Sequence, residues 1–310
     1  MRTVSDLRVV ATSSLVSVAD VTLNLVVAAI TGSTVMLSQA LQGLSDLVTG
    51  GLLLVGVRRS RRKADARFPF GYGREVFFWA LIASMIMFVG TGAVSLLLGY
   101  REAVDPEPVQ RIWLAFVMLT AGLAGNGYAF SLSVRRLRAE GRTRHRGWWE
   151  QLRRSSLIET KATFIIDFVG TAAAVLGLVS LGLYQLTGVT RFDGIGSMVI
   201  GLTMMASATL LMWDLHELIV GRGVDPRTRA ELARRALEVD GVSEVLDLLT
   251  MYVGSSKLFV VMELHLDDGY TTTDIERITD EVKAHVRQCV PLVHHIQIEV
   301  ETPTGEIPGG

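Results

Sequence analysis

Three pairs of oxygen-bearing side chains stand four residues apart: Gln42 with Asp46, Thr163 with Asp167, and Asp20 with Asn24. On an α-helix that spacing stacks both members on one face, a turn apart. Each pair lies inside a long apolar stretch, where ionisable groups are costly and either line a pathway or pair with each other. Three helices each offering such a pair can surround one cation. Carboxylate, amide and hydroxyl oxygens suit a hard or borderline divalent ion better than a soft one. Asn24, Gln42 and Thr163 read equally well as hydrogen-bonding bridges between helices. Asp46 and Asp167 do not, because a carboxylate at that depth needs a partner or a proton. Lys161, near the start of its stretch, is expected to snorkel outward. For Asp20, midway along its stretch, a local hydrogen bond competes with a ligand role. Asp214, His216 and Glu217 read as a solvated face at the end of the last stretch.

The elements that hold these residues follow from hydropathy. The 310-residue chain is 49% hydrophobic and 20% charged, with a mean hydropathy of +0.39. About 20 apolar residues cross the hydrocarbon of a bilayer. Six stretches reach that length: 9–31, 34–57, 75–100, 112–134, 157–186 and 194–220. Gly32-Ser33 makes the first two a tight hairpin, and two more hairpins follow. Seven basic residues (Arg58, Arg59, Arg61, Arg62, Lys63, Arg67, Arg74) separate spans two and three. Eight more (Arg135, Arg136, Arg138, Arg142, Arg144, Arg146, Arg153, Arg154) separate spans four and five. The opposite side has only Arg101, Arg111 and Arg191. Cationic loops stay in the cytoplasm, so both termini are expected there, in a plasma (inner) membrane, with the arginines attracting anionic headgroups as a by-product. The first apolar run carries no cleavable-signal pattern.

Composition also excludes function classes. A net charge of -1 gives no support to nucleic-acid binding, and the lone Cys289 excludes an intrachain disulfide or a Cys-based metal site. No nucleophile–base pair or phosphate-binding loop appears, so an enzyme is not expected. Glycines at 90, 92, 122, 125, 127, 170, 196 and 201 speak for close helix packing, and Met198, Met204 and Met205 for core or lipid-facing filler.

Beyond Gly221 the charge rises and the apolar residues change period. The pattern predicts a helix over 226–239, strands over 242–253 and 257–267 around the turn Gly254-Ser255-Ser256, a helix over 272–287 capped near Thr273 or Asp274, and a strand over 294–301. The order αββαβ suits a sheet covered by helices. About eighty residues bury only a modest core, so pairing with a second copy is expected. The division is therefore a transmembrane domain at 1–221, a cytoplasmic domain at 222–302, and a flexible tail at 303–310.

Several segments resemble the cation diffusion facilitator family of divalent-metal/proton antiporters. They are Asn24 with Ile30-Thr31-Gly32-Ser33, the run from Ser38 to Asp46, Phe68-Pro69-Phe70-Gly71-Tyr72-Gly73-Arg74-Glu75, Phe192-Asp193-Gly194-Ile195-Gly196-Ser197, and Leu218-Ile219-Val220-Gly221. The resemblance covers roughly residues 10–302. It implies a six-helix membrane bundle followed by a ferredoxin-like cytoplasmic domain, a homodimer, and a transport site between spans two and five. By position, Gln42 and Asp46 correspond to the family's span-two pair, Asp167 to its span-five acid, and Thr163 to the ligand position four earlier. Arg74 matches a basic residue that interlocks with an acid near the cytoplasmic domain, for which Asp225 is the candidate.

The chain departs from the family by lacking His in both pairs. Its oxygen donors point to Mn²⁺ or Fe²⁺ over Zn²⁺, with Co²⁺ a further candidate cargo. The His of the family's last strand falls on Glu299, and adjacent His294 and His295 are expected on opposite faces of that strand. A regulatory metal site in the cytoplasmic domain is therefore not expected, and no resident cofactor is implied. The missing His residues also leave room for another class of function, a non-transporting membrane scaffold.

Overall fold

The computed structural model describes residues 3–143, 158–255 and 257–302. Arg144, Arg146, Arg153 and Arg154 of the second basic loop, the start of span five at Leu157, and the tail at 303–310 lie outside them. The chain forms two compact units: Met1–Arg58 with Phe78–His216, and Arg59–Phe77 with Glu217–Gly310. The basic loop between spans two and three thus belongs to the C-terminal unit.

The first unit is all helical. It comprises α1 (Thr3–Thr31), α2 (Thr34–Ser60), α3 (Glu75–Met85), a π-helical segment (Ile86–Ala93), α4 (Val94–Val104), α5 (Ile112–Thr143), α6 (Ile158–Thr187) and α7 (Arg191–Val220). Among the described residues five helices are long and apolar enough to cross a membrane, with Ser17–Thr31 of α1 a shorter apolar stretch. The third span is continuous through its π segment, a widening that often marks functional regions of helices.

Two devices fix the bundle. Fully buried Asp193, at the start of α7, caps α2 from across the unit. It accepts from Ser33 Oγ (2.6 Å), Thr34 N (2.6 Å), Thr34 Oγ1 (3.0 Å) and Val35 N (3.3 Å). A carboxylate is well placed against the exposed N–H groups of a helix start. The second device is backbone contact between α4 and α7. A Cβ on Gly99 would stand 2.6 Å from Gly194 O, and one on Gly194 would stand 2.6 Å from Gly99 O. Only glycine permits that approach. At Gly122, Gly125 and Gly127 of α5, by contrast, a Cβ would meet open space, so these glycines do not bring helices together within one chain. The core joins Val35 and Met36, Leu119, Leu181, Ile200 and Met204, all at most 2% exposed.

The second unit carries α8 (Pro226–Leu237), β1 (Val242–Gly254), β2 (Lys257–Leu266), α9 (Thr272–Cys289) and β3 (Val293–Val300). β2 lies between β1, antiparallel, and β3, parallel. The parallel pair needs a crossover, which α9 supplies. Alternate residues of β2 (Leu258, Val260, Met262, Leu264, Leu266) are buried together with Ile278, Val282 and Val286 of α9 and Leu232 and Ala236 of α8. This αββαβ arrangement is the ferredoxin-like fold.

The cap of α9 is Thr271, not Thr273. Thr271 and Asp274 form a reciprocal capping box, with Asp274 at the third helical position. Asp225 caps α8 through Arg227 N and Thr228 N, and Arg74 donates to Met251 Sδ at 2.8 Å. Within the loop at 59–77, Asp65 accepts from Tyr72 Oη (2.7 Å), Phe68 N (2.8 Å) and Arg67 N (3.0 Å). These bonds, led by the Tyr72 hydroxyl, hold its carboxyl below the usual range. The loop also sits against the β1–β2 hairpin, since a Cβ on Gly73 would stand 2.2 Å from Val253 O.

Candidate metal site

α2 presents a polar ladder on a buried face. Gln42 is 3% exposed, and its Nε2 donates to Asp46 Oδ2 one turn on. Facing it across the bundle is Gly170 of α6. A Cβ there would stand 3.2 Å from Gln42 Nε2 and 3.0 Å from the side-chain amide of Asn126, which comes from α5. Gln42, Asn126 and Gly170 therefore meet at one junction of three helices.

Connectivity places the acids relative to that junction. Spans two and five cross in opposite directions, so four residues onward in α2 and three residues back in α6 lead the same way. At 1.5 Å per residue those offsets are about 6 Å and about 4.5 Å. Asp46 and Asp167 thus lie at one level, on facing helices. Asp167 Oδ2 accepts from Ser133 Oγ of α5, a residue two turns from Asn126 on the same face. Asp46 lies within the fields of both Asp167 and Asp20.

α1 lies beside α2 here, because a Cβ on Gly43 would come 3.8 Å from Asp20 Oδ2. Asp20 itself is exposed. Buried Asn24 turns its amide to its own helix, donating to Asp20 O at 3.0 Å. Thr163 is exposed, a turn before Asp167. Of the six residues singled out by type and spacing, the junction gathers Gln42, Asp46 and Asp167, with Asp20 and Asn24 on the adjoining helix. Thr163 is not held inside it. Sequence reasoning missed Asn126 and Ser133. Their seven-residue spacing on span four was a usable signal, but no acid within residues 112–134 shares that face to draw attention to it.

Lys161 corrects an expectation. It is 5% exposed and does not snorkel, and its Nζ lies 2.6 Å from Asp214 Oδ2 of α7. Asp214 is half-buried, whereas His216 and Glu217 are exposed as expected. Among the described residues no three His, Cys, Asp or Glu side chains gather as a metal-holding group. At the junction Asp46 and Asp167 offer two carboxylates, with amide and hydroxyl oxygens beside them.

Adding a methyl at Gly170 perturbs that shell without touching an acid. Gly170→Ala is expected to push the Asn126 and Gln42 amides aside and weaken metal half-saturation about tenfold, as changes to supporting partners do. Its melting temperature should stay close to the parent's. Transport titrations paired with thermal melts check this.

Comparison with known proteins covers nearly the whole chain. The cation efflux transmembrane domain family matches residues 10–220, and the cation efflux protein cytoplasmic domain family matches residues 224–303. The mitochondrial proton-coupled zinc antiporter of Xenopus laevis is 26% identical over 82% of this chain and 46% of its own length. The chain thus spans less than half of that relative. The cation-efflux pump FieF of Pectobacterium atrosepticum is 24% identical over 84% of this chain and 81% of its own. A solved MamM CTD in a cadmium form is 22% identical, covering 26% of this chain and 98% of that one with a TM-score of 0.24. With both family domains matched in order along its length, the chain belongs to the cation diffusion facilitator family.

Proposed function

We propose that this protein is a secondary active transporter that exports a divalent transition-metal cation from the cytoplasm in exchange for protons. The observation carrying the proposal is the Gln42–Asn126–Gly170 junction, which sets Asp46 and Asp167 at one level on facing helices. Two carboxylates cancel the charge of one divalent ion, which makes its transfer into a low-dielectric site tolerable. Protons taken up by the same oxygens on the far side remove that charge and release the ion. Metal and protons compete for one pair of groups, and that competition couples the two fluxes. Gln42, with Asn24 and Asp20 on the adjoining helix, supplies neutral and charged oxygens around them; Thr163 completes the shell only if its helix turns inward.

The basic loops support insertion in the plasma (inner) membrane with both termini cytoplasmic. The C-terminal domain supports a homodimer. The cargo proposed is Mn²⁺ or Fe²⁺. Relatives named as zinc antiporters favour Zn²⁺, but the junction offers oxygen donors with no imidazole or thiolate, which suits the harder ions.

Proteoliposomes with an imposed proton gradient test both levels. Metal-dependent proton movement is expected, with Mn²⁺ or Fe²⁺ displacing the reporter ion at about tenfold lower concentration than Zn²⁺. Tighter competition by Zn²⁺ would overturn the choice of cargo. Absence of metal-dependent proton flux with Mn²⁺, Fe²⁺, Co²⁺ and Zn²⁺ would overturn transport itself and favour a scaffold.

A further inference from the structure

The C-terminal unit contains a cavity of about 370 Å³ between the loop that follows α2 and the adjoining starts of β2 and β3. Its charged and titratable lining is Arg61, Arg62, Lys63, Lys257, His294 and His295, with no acidic side chain among the lining residues. The one nearby acid of the loop, Asp65, is committed to Tyr72, Phe68 and Arg67. Among the described residues Arg61, Lys63 and Lys257 form no ion pair, and Arg62 lies 4.6 Å over the Tyr72 ring. Arg61, Lys63 and Lys257 therefore line the cavity without an ion pair, while Arg62 also feels the Asp65 carboxylate.

The floor is aromatic. Phe259 and His295, partners in the β2–β3 register, stack with centroids 5.3 Å apart, and Phe70 meets Phe259 at 5.5 Å. A register irregularity between Leu258 and Phe259 breaks the alternation expected of adjacent strand residues, and both His294 and His295 reach the same cavity. The His294 ring is held below its ordinary value first by burial and then by the charges of Lys257, His295 and Arg287.

We propose that this cavity is a binding site for a phosphate-bearing anion. Converging Arg and Lys side chains are the usual partners of phosphate oxygens, and the rings offer a flat apolar surface to the ester attached to them. Two sources share this chemistry: an anionic phospholipid headgroup and a soluble phosphate ester. Arg61 directly follows the last residue of α2, a helix long and apolar enough to cross a membrane, so a headgroup source is tested beside a soluble one.

The test uses the purified full-length protein in phosphatidylcholine nanodiscs. One arm measures binding of radiolabelled inorganic pyrophosphate. The other replaces part of the phosphatidylcholine with phosphatidylglycerol and counts, by native mass spectrometry, the anionic lipid retained. Lys257→Glu is expected to weaken binding about fivefold, the order of one charge reversal near the surface. The control Lys283→Glu, on α9 away from the cavity, should leave binding unchanged. Lys63→Glu serves if the first variant does not fold, since six other basic residues keep the loop's topological signal.

Loss confined to phosphatidylglycerol identifies a headgroup site, and loss confined to pyrophosphate identifies a soluble phosphate site. Absence of both anions from the parent protein, or equal loss in Lys257→Glu and Lys283→Glu, overturns the proposal. Metal transport plays no part in either readout, so failure here is separable from failure of the exporter reading.

Discussion

Asp46→Ala and Asp167→Ala are each expected to abolish metal-dependent proton exchange in proteoliposomes while leaving a folded protein. Two unit charges 4 Å apart interact by about 4 kcal/mol at an effective dielectric of 20, and a divalent ion doubles that. If only a quarter survives competition with the ion's hydration, about 2 kcal/mol is lost per carboxylate, roughly thirtyfold in affinity. Transport falls further, because each lost carboxylate also removes a place where a proton can displace the metal.

Asp167→Asn separates the two roles. It keeps an oxygen and the Ser133 contact but cannot titrate, so residual metal binding should depend less steeply on pH than in the parent. Isothermal titration of Mn²⁺ at several pH values, beside the flux assay, measures both. Parent-like flux in both alanine variants would remove the site from the junction altogether.

These two aspartates were legible because each is an acid with an oxygen-bearing neighbour four residues away in an apolar run. Periodicity supplies a face; it does not supply a neighbour. That Gln42 meets Asn126 depends on Gly170, a residue whose lack of a side chain says only that something approaches closely. Thr163 shares the face of Asp167 by spacing, yet lies exposed a turn nearer the helix start. Spacing fixes direction around a helix but not how far along it the bundle closes. The αββαβ order of the C-terminal unit was readable from the change of period after Gly221. The His294–His295 pair was misjudged because a register slip between strands leaves no trace in either strand's own alternation. Assignment of the 59–77 loop to the C-terminal unit depends on contacts such as Gly73 against Val253, 180 residues apart in sequence.

The Lys161–Asp214 pair shows the same limit and carries the second large effect. Lys161 stands near the start of α6 and Asp214 near the end of α7, both where length alone suggests access to water. The structure instead leaves the two side chains 7% and 19% exposed with Nζ and Oδ2 2.6 Å apart. Charges withdrawn from water this far depend strongly on each other, and removing one partner of such a pair costs about 3–5 kcal/mol, whereas replacing both by well-packed apolar groups can be neutral. Lys161→Met strips Asp214 of its close cation, and Asp214→Leu does the converse to Lys161. Each single variant is expected to lower the melting temperature markedly, and the double variant to melt near the parent. The coupling from this cycle should be at least about 2 kcal/mol and opposite in sign to the single losses.

The consequence for transport lies in where the pair sits. It joins α6 to α7 six residues before Asp167, so it fixes the helix that presents one of the two acids. A double variant with parent-like stability should then still bind Mn²⁺ but exchange it more slowly if the pair also holds α6 during transport. Additive losses in the melting cycle would mean that Lys161 and Asp214 are each stabilised by other neighbours and that their contact ties nothing together.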